Sequence, residues 1–421
     1  MSARLCIAFT ISVGMVSLAG ALPSHAAGYS LLEQGASGLG NAFAGGAASA
    51  EDASTIYANP AGMTYLPDRQ LVTTLHAVRV SSRFSDDGSI AAFGRPIGNE
   101  GGDAGGFVAV PNIYYNQRIR PDLNIGIAIN APFGLKTDYD KQWIGRYQAV
   151  RSEIATLNIN PAVAFKLNDR LSLGFGISIM KMDAELTRVV NFGPAGDGFA
   201  QLKGDDWGYG YNFGTLWQVT ADTRIGVAYR SRVRQHIEGD ATFTRPPLIP
   251  SALVPNGNIT TQLTLPESAS ISLFHQASDK LALMADLTWT GWHRLQDLKI
   301  QRSDGSLLVN IPENWQDTMR YSVGASYQLT PAWKLRGGLA YDQESIKDRF
   351  RTVSIPGDDR TWLTIGAGYR FSERNQIDVA YAHLYVKDTS IDNDQGLVNA
   401  RLRGDYHNKI DVLSLQYIHN F

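Results

Sequence analysis

Residues 207–219 read "WGYGYNFGTLWQV". Trp207, Tyr209, Tyr211, Phe213, Thr215, Trp217 and Val219 take the odd positions, and Gly208, Gly210, Asn212, Gly214 and Gln218 lie between them. Successive side chains of a strand point to opposite faces, so this stretch has one aromatic face and one nearly bare face. The same period of two recurs in "LNIGIAIN" (123–130), "LSLGFGISI" (171–179), "RIGVAY" (224–229), "YSVGASYQL" (321–329), "WKLRGGLAY" (333–341), "TWLTIGAGYRF" (361–371) and "IDVAYAH" (377–383). It also governs the last residues, "DVLSLQYIHNF", where Leu413, Leu415, Tyr417 and Phe421 alternate with smaller or polar groups. Helix-period stripes are scarce.

A soluble β-sandwich alternates too, but its bulky face points into a shared core and its other face is long and charged. Here the second face is Gly, Ser, Ala and Asn, the composition of a filled or narrow barrel lumen. Aromatic residues gather near strand ends, as interfacial girdles require: Trp207, Trp217, Tyr229, Trp289, Trp292, Tyr327, Trp333, Tyr341, Trp362, Tyr369, Tyr385, Tyr417 and Phe421. The pattern predicts an all-β protein, a transmembrane antiparallel β-barrel.

Turn residues set the strand count. Short turns are expected at residues 120–122, 168–170, 220–222, 278–280, 330–332 and 372–374. Longer polar or Gly/Pro-rich connections lie near 84–106, 134–151, 192–206, 240–261, 301–315, 348–360 and 391–405. Six short and seven long connections join 14 strands, an even number with the asymmetry of outer-membrane barrels, the short side being periplasmic. Closure requires the last strand, from about Tyr406 to Phe421, to pair with the first, near Gln70 to Ser82, so that no edge faces lipid.

The chain opens with "MSARLCIAFTISVGMVSLAGALPSHAAGYS": one positive charge at Arg4, an apolar stretch from Leu5 to about Leu22, and small residues at Ser24 and Ala26. This predicts a secretory signal peptide over residues 1–26, cleaved before Ala27 or Gly28. Cys6, the only cysteine, lies within it, so the mature chain has no disulfide and no thiolate chemistry. Without Arg4, 37 basic side chains face 40 acidic ones, a net charge near −3 that attracts no nucleic acid. After the signal no run approaches the roughly 20 apolar residues of a membrane helix.

Residues 27–69 precede the barrel and differ from it. They are small, rich in Gly and Ala and lightly charged, yet Leu31, Leu32, Leu39, Phe43, Ile56, Tyr57, Met63 and Leu66 make them too apolar for a disordered tail. We read 27–69 as a plug packed inside the lumen of a barrel spanning 70–421. The segment "GASGLGNAFAGGAASAEDASTIYANPAGM" (35–63), directly after a signal peptide, resembles the N-terminal hatch of the FadL family of outer-membrane transporters, which take up long-chain fatty acids and other hydrophobic compounds. Asn59-Pro60-Ala61 matches the hatch motif, and "GDDWGYGYNFG" (204–214), "YRSRV" (229–233), "LTLPES" (263–268) and "SIPGDDRTWLTIGAGYRF" (354–371) extend the likeness over nearly the whole mature chain.

The resemblance implies a 14-stranded barrel plugged by the hatch, from which ligand leaves sideways beside a kinked third strand. That strand would be "LNIGIAINAPF", in which Gly126, Asn130 and Pro132 are residues able to bend or weaken a ladder. It also implies that Asn59, Pro60 and Ala61 form a gate beside the opening, and that extracellular loops carry an apolar capture surface. Candidate capture residues are Phe192, Phe199 and Leu202, on a connection shorter than in the fatty-acid-transporting archetype, and Leu248, Ile249, Leu253 and Val254 in "RPPLIPSALVPNGN". A terminal aromatic on the last strand resembles the signal read by the barrel-assembly machinery.

Arg230, Arg232 and Arg234 share the face opposite Ile225, Val227, Tyr229 and Val233 and are expected to line the lumen. There they would either pair a ligand carboxylate or hold acids such as Asp286, Asp378 and the plug residues Glu51 and Asp52. The glycines at 38, 40, 45 and 46 follow no strand and precede no Lys-Ser/Thr pair, so they are no phosphate cradle. The histidines show no metal-binding spacing, and no compact nucleophile-base motif marks an enzyme. The expected protein is a monomeric, cofactor-free channel of the bacterial outer membrane, in contact with its lipids and a hydrophobic small molecule, with long-chain fatty acid and aromatic hydrocarbon the main candidates. It would work passively, having no nucleotide or ion-coupling motif. An adhesin or structural barrel with a static plug, and a polar-solute porin, are the competing classes.

Overall fold

The computed structural model describes residues 28–421; the expected signal peptide lies outside them. Among the described residues twenty strand segments form one sheet. Six are continuations of their predecessors across a short break, which leaves a closed antiparallel barrel of 14 staves. The broken staves are Leu123–Asn130 with Gly134–Asp138, Thr223–Arg230 with Val233–Thr244, and Gly257–Leu265 with Ser268–Gln276. The other three are Leu281–Thr290 with Asp297–Arg302, Leu307–Pro312 with Thr318–Gln328, and Asn375–Val386 with Thr389–Asp394. The rest run unbroken: Arg69–Asp86, Gly106–Arg120, Arg151–Lys166, Leu171–Asn191, Asp197–Thr220, Trp333–Asp342, Arg360–Arg370 and Arg401–Asn420.

First and last staves pair continuously from Gln70↔Asn420 to Asp86↔Gly404, and the Phe421 amide donates to the Arg69 carbonyl at 3.2 Å. Both sheet edges are thereby consumed, as lipid demands of any spanning sheet. Outward residues form the apolar band: Leu413 and Leu415 on the last stave, Tyr209, Tyr211 and Phe213 on the sixth.

Several staves run far above this band. Asp197–Thr220 is 24 residues long, where about 9–11 cross a bilayer. The connections expected over 192–206 and 240–261 therefore shrink to 192–196 and 245–256, because strand continues through residues whose polarity reads as loop. Two girdle assignments also change. Trp362 takes an even position on a stave whose outward residues are odd, and it is buried in the lumen. Trp292 sits on the short 3-10 turn that interrupts its stave and is likewise buried.

The stave breaks have a common result: they turn bulky groups inward. Phe133, Trp292 and Trp315, each from a break, surround Tyr29 near the start of the described chain. Ring centroids lie 5.0 Å apart for Tyr29 and Trp292, 5.7 Å for Tyr29 and Trp315, and 5.0 Å for the two tryptophans. Their tilted and edge-on geometries suit aromatic packing.

Candidate functional site

Residues 28–68 pack into the barrel as a compact hatch built from the helix Ala36–Gly40, the single turn Thr55–Ala58 and the 3-10 segment Pro60–Tyr65. Its backbone rests on wall glycines. A Cβ at Gly174 would collide with Ala61, one at Gly214 with the Asn59 side chain, and one at Gly338 with the Asn41–Ala42 peptide. Gly126 belongs to the same set, since a Cβ there would come 2.6 Å from Met63 Sδ. This is the reason the lumenal face is nearly bare.

Asn59, Pro60 and Ala61 form the corner between the two short helical segments, and all three are buried. Proline supplies the first 3-10 residue, where its missing N–H costs nothing. The Asn59 Oδ1 accepts from the Ala61 amide at 3.0 Å, while its Nδ2 donates to the carbonyls of Ala47 (2.7 Å) and, across to the wall, Thr215 (2.9 Å). The triplet is thus seated on the fifth and sixth staves rather than on the third, which contains the break at 131–133.

Charge fixes the other side of the hatch. Glu51 Oε1 accepts from Arg336 Nη2 at 2.6 Å and Lys334 Nζ at 2.8 Å, and Arg336 Nη1 donates to Asp378 Oδ1 at 2.8 Å. Burial alone would raise the Glu51 pKa, but the two cations hold its carboxyl well below the usual range. Asp52 accepts from Ser37 Oγ at 2.5 Å and from Gln416 Nε2 on the last stave at 2.9 Å.

The three arginines do not share a face. Arg230 points inward and donates to the Tyr57 carbonyl (2.8 Å) and Ser178 Oγ (2.7 Å), with its guanidinium over the Tyr57 ring at 4.0 Å. Its stave then breaks at Ser231–Arg232 and resumes one residue out of phase, so that Val233, Gln235 and Ile237 are buried. Arg232 is left half-buried at the break, and Arg234 is exposed on the outer face. A period of two read straight through the break misplaces Arg234.

Between hatch and wall lies a cavity of about 190 Å³, bordered by Leu32, Gln34, Phe43 and Tyr57 of the hatch and by Phe133, Arg230, Asp286 and Arg320 of the wall. Above it, in the extracellular half, are two smaller pockets. One, of about 80 Å³, is lined by Ile154, Met182, Ala184, Leu186, Leu202, Ile237 and Ile300. The other, of about 70 Å³, shares Leu186 and Leu202 and adds Phe243, Leu308, Val309 and Ile311. Arg188 also lines it, opposite Ala200 in the ladder, and makes no hydrogen bond or ion pair among the described residues. Continuing the even, inward phase of "LSLGFGISI" along its stave reaches Arg188, which the turn-like sequence beyond it obscured.

The expected capture residues separate. Leu202 lines both upper pockets, with Phe199 and Val254 packed against neighbouring buried clusters. Leu248 and Leu253 project into solvent at 79% and 70% exposure, Ile249 is half-buried between them, and Phe192 packs over Gly198.

At the third-stave break the ladder between neighbouring staves is interrupted. Its ladder with Gly106–Arg120 ends at Ile113↔Ile129, although the latter strand continues along the first stave as far as Val80↔Gly106. Residues 106–112 have no ladder partner on the third-stave side among the described residues. The hatch's leading residues instead hold the break: Leu31 N donates to Pro132 O at 2.8 Å, Gly134 N donates to Tyr29 O at 3.0 Å, and Ser30 bridges Phe133.

A profile of the outer membrane protein transport proteins (OMPP1/FadL/TodX) matches residues 17–421. The chain belongs to this family. It is 31% identical to outer membrane protein P1 of Haemophilus influenzae, over 86% of this chain and 87% of that one. Identity is 27% to a long-chain fatty acid transport protein of Escherichia coli O6:H1, with 92% and 93% covered. A crystal structure of a Pseudomonas aeruginosa FadL homologue superposes with a TM-score of 0.88 at 27% identity, covering 94% of this chain and all of that one. Like other FadL-family members, this is an outer-membrane barrel of the transport class.

Glu313, in the link 313–317 beside the aromatic cluster, is buried and accepts from Trp315 Nε1 at 2.8 Å. Burial, only partly offset by that bond, pushes its carboxyl up to about 7. The folded value exceeds the unfolded one, so its contribution to stability is complete below about pH 4.5 and is lost as pH rises through about 7. The full change is about 3 kcal/mol. Tryptophan fluorescence during denaturation should show wild type weakening from pH 5 to 8, and Glu313→Gln, which stays neutral, weakening less. Equal pH slopes would contradict this.

Proposed function

We propose that the chain is a passive uptake channel for a hydrophobic molecule bearing a carboxylate, of the long-chain fatty-acid class. The observation that carries this reading is Arg188, a permanent cation lining an apolar pocket without a counter-ion. An uncompensated charge among Leu186, Leu202 and Phe243 is unfavourable unless a ligand supplies the anion. A guanidinium fork suits a carboxylate, and the pockets below accept an aliphatic tail. The family's fatty acid transport proteins make this class the natural candidate.

On this reading Leu248 and Leu253 offer an external apolar foothold, Arg188 selects the head group, and the hatch-wall cavity receives the molecule next. Release is sideways, at the third-stave break, when Tyr29–Leu31 shift off Pro132 and Gly134. The Asn59-Pro60-Ala61 corner acts as the fixed pivot that keeps the rest of the hatch in place. A lumen filled by the hatch does not suit a polar-solute porin.

Arg188→Gln should weaken oleate binding to the purified protein by about ten-fold or more, the value of a charge-assisted hydrogen bond. Binding of toluene, which has no carboxylate, should change little. Unaltered oleate affinity would remove Arg188 from the reading and favour an uncharged hydrocarbon ligand.

A further inference from the structure

Charge is unevenly distributed around the extracellular rim of the lipid-facing band. Between the staves Leu171–Asn191 and Asp197–Thr220, the outward positions just above the band carry three acids, Asp183, Glu185 and Asp205, against two lysines, Lys181, paired to Asp183 at 3.0 Å, and Lys203, opposite Glu185 in the ladder. At the seam between first and last staves the pattern reverses. Climbing the last stave, exposed Leu415 and Leu413 give way to Asp411, Lys409 and His407; on the first, Leu75 gives way to Arg79 and Arg83.

Ladder register sets these groups side by side. Arg79 stands opposite Asp411, Ser81 opposite Lys409 and Arg83 opposite His407, so three cations occupy adjoining rungs of two staves. Diagonal neighbours in an antiparallel pair are within reach of long side chains. No ion pair within 4 Å joins Asp411 to Arg79; the Asp411 Oδ1 accepts from Tyr381 OH at 2.6 Å and lies 2.8 Å from His383 Nδ1. Neither Arg79 nor Lys409 makes a hydrogen bond or ion pair among the described residues, and Arg83 has one loose, exposed contact, 3.4 Å to Asp103.

We propose that this seam is a binding site for the phosphorylated lipid of the outer leaflet, the lipid A portion of lipopolysaccharide. Its phosphate sits over Arg79, Lys409 and Arg83, and its acyl chains lie along Leu75, Leu413 and Leu415 directly beneath. Each half of the lipid meets its complement: guanidinium forks for phosphate oxygens, and an apolar wall for the chains. The sector on the other side of the barrel, with its three carboxylates, offers a phosphate no such arrangement. Basic residues just outside an apolar span are the recurrent arrangement for anionic lipid headgroups.

Native mass spectrometry of the full mature protein in detergent tests this, with lipid A as the probe, dephosphorylated lipid A as its apolar counterpart and inorganic phosphate as competitor. Arg79→Gln/Lys409→Gln should bind lipid A at least ten-fold more weakly, while Lys299→Gln, which removes an outward cation from another part of the rim, binds as wild type. Dephosphorylated lipid A should bind wild type as weakly as lipid A binds the double variant. Undiminished binding by a double variant that retains the heat-modifiable mobility of a folded barrel would overturn the proposal. Equal affinity for the dephosphorylated lipid, pointing to the apolar band alone, would overturn it too, as would displacement by equimolar inorganic phosphate, which would mark a free-anion site.

Discussion

Arg336→Met should unseat the hatch without opening the barrel. The substitution keeps an unbranched apolar stem but removes the guanidinium, leaving Glu51 with Lys334 alone and Asp378 with no cation, both inside the lumen. Removing one partner of a buried pair costs about 3–5 kcal/mol, because the remaining charge keeps its desolvation penalty. Replacing all three groups together, as Glu51→Gln/Arg336→Met/Asp378→Asn, should recover much of that loss, since no charge is then stranded. Two measurements separate hatch from wall: proteolysis of the hatch in folded protein, and sensitivity of cells to a bulky polar antibiotic. The single variant should gain both susceptibilities while retaining the slow gel mobility of a closed barrel. A single variant as resistant as wild type would show that the glycine seat alone holds the hatch.

Pinning the hatch's leading strand to the third-stave break should abolish uptake. Ser30 and Phe133 face each other in an antiparallel bridge, so Ser30→Cys/Phe133→Cys places two thiols on opposed residues of a chain whose sole cysteine lies in the expected signal peptide. Oxidised, the pair should bind oleate as wild type does and transport none; reduction should restore transport. Each single variant controls for the loss of the Phe133 ring or the Ser30 hydroxyl. Full uptake through the oxidised protein would exclude release at this break and support a static plug.

The period of two made the barrel legible because lipid and lumen impose opposite demands on alternate residues, and residues 207–217 obey both. The count of 14 staves followed from turn chemistry, which is local. What the period could not convey was its own interruption. At Ser231–Arg232 one displaced residue moves Arg234 from lumen to exterior, and at residues 291–296 a short turn swings Trp292 inward. Neither break has a proline or a long glycine run to announce it. Polar strand above the membrane reads as loop over 192–206 and 240–261, since outside the lipid nothing forces the alternation. The placement of the Asn59-Pro60-Ala61 corner was also illegible. The triplet specifies a turn, but which glycine receives it depends on contacts more than a hundred residues away, at Gly174 and Gly214.

The hatch's anchors come from all around the wall: Gln70 on the first stave, Gly174 on the fifth, Arg230 on the seventh, Arg320 on the tenth, Arg336 on the eleventh and Gln416 on the last. The chain therefore emerges with a segment whose docking surface is not complete until the last stave has been made and exported. During that interval residues 28–68 have only part of the surface on which they fold, and their Gly/Ala-rich composition suits waiting: too little apolar bulk to collapse alone, too few charges to repel a closing wall. Contacts spanning nearly the whole sequence form late and slowly. The Gln416 bonds to the Ala36 amide and Asp52 then act as a completion check, because they can form only once the final strand has been inserted.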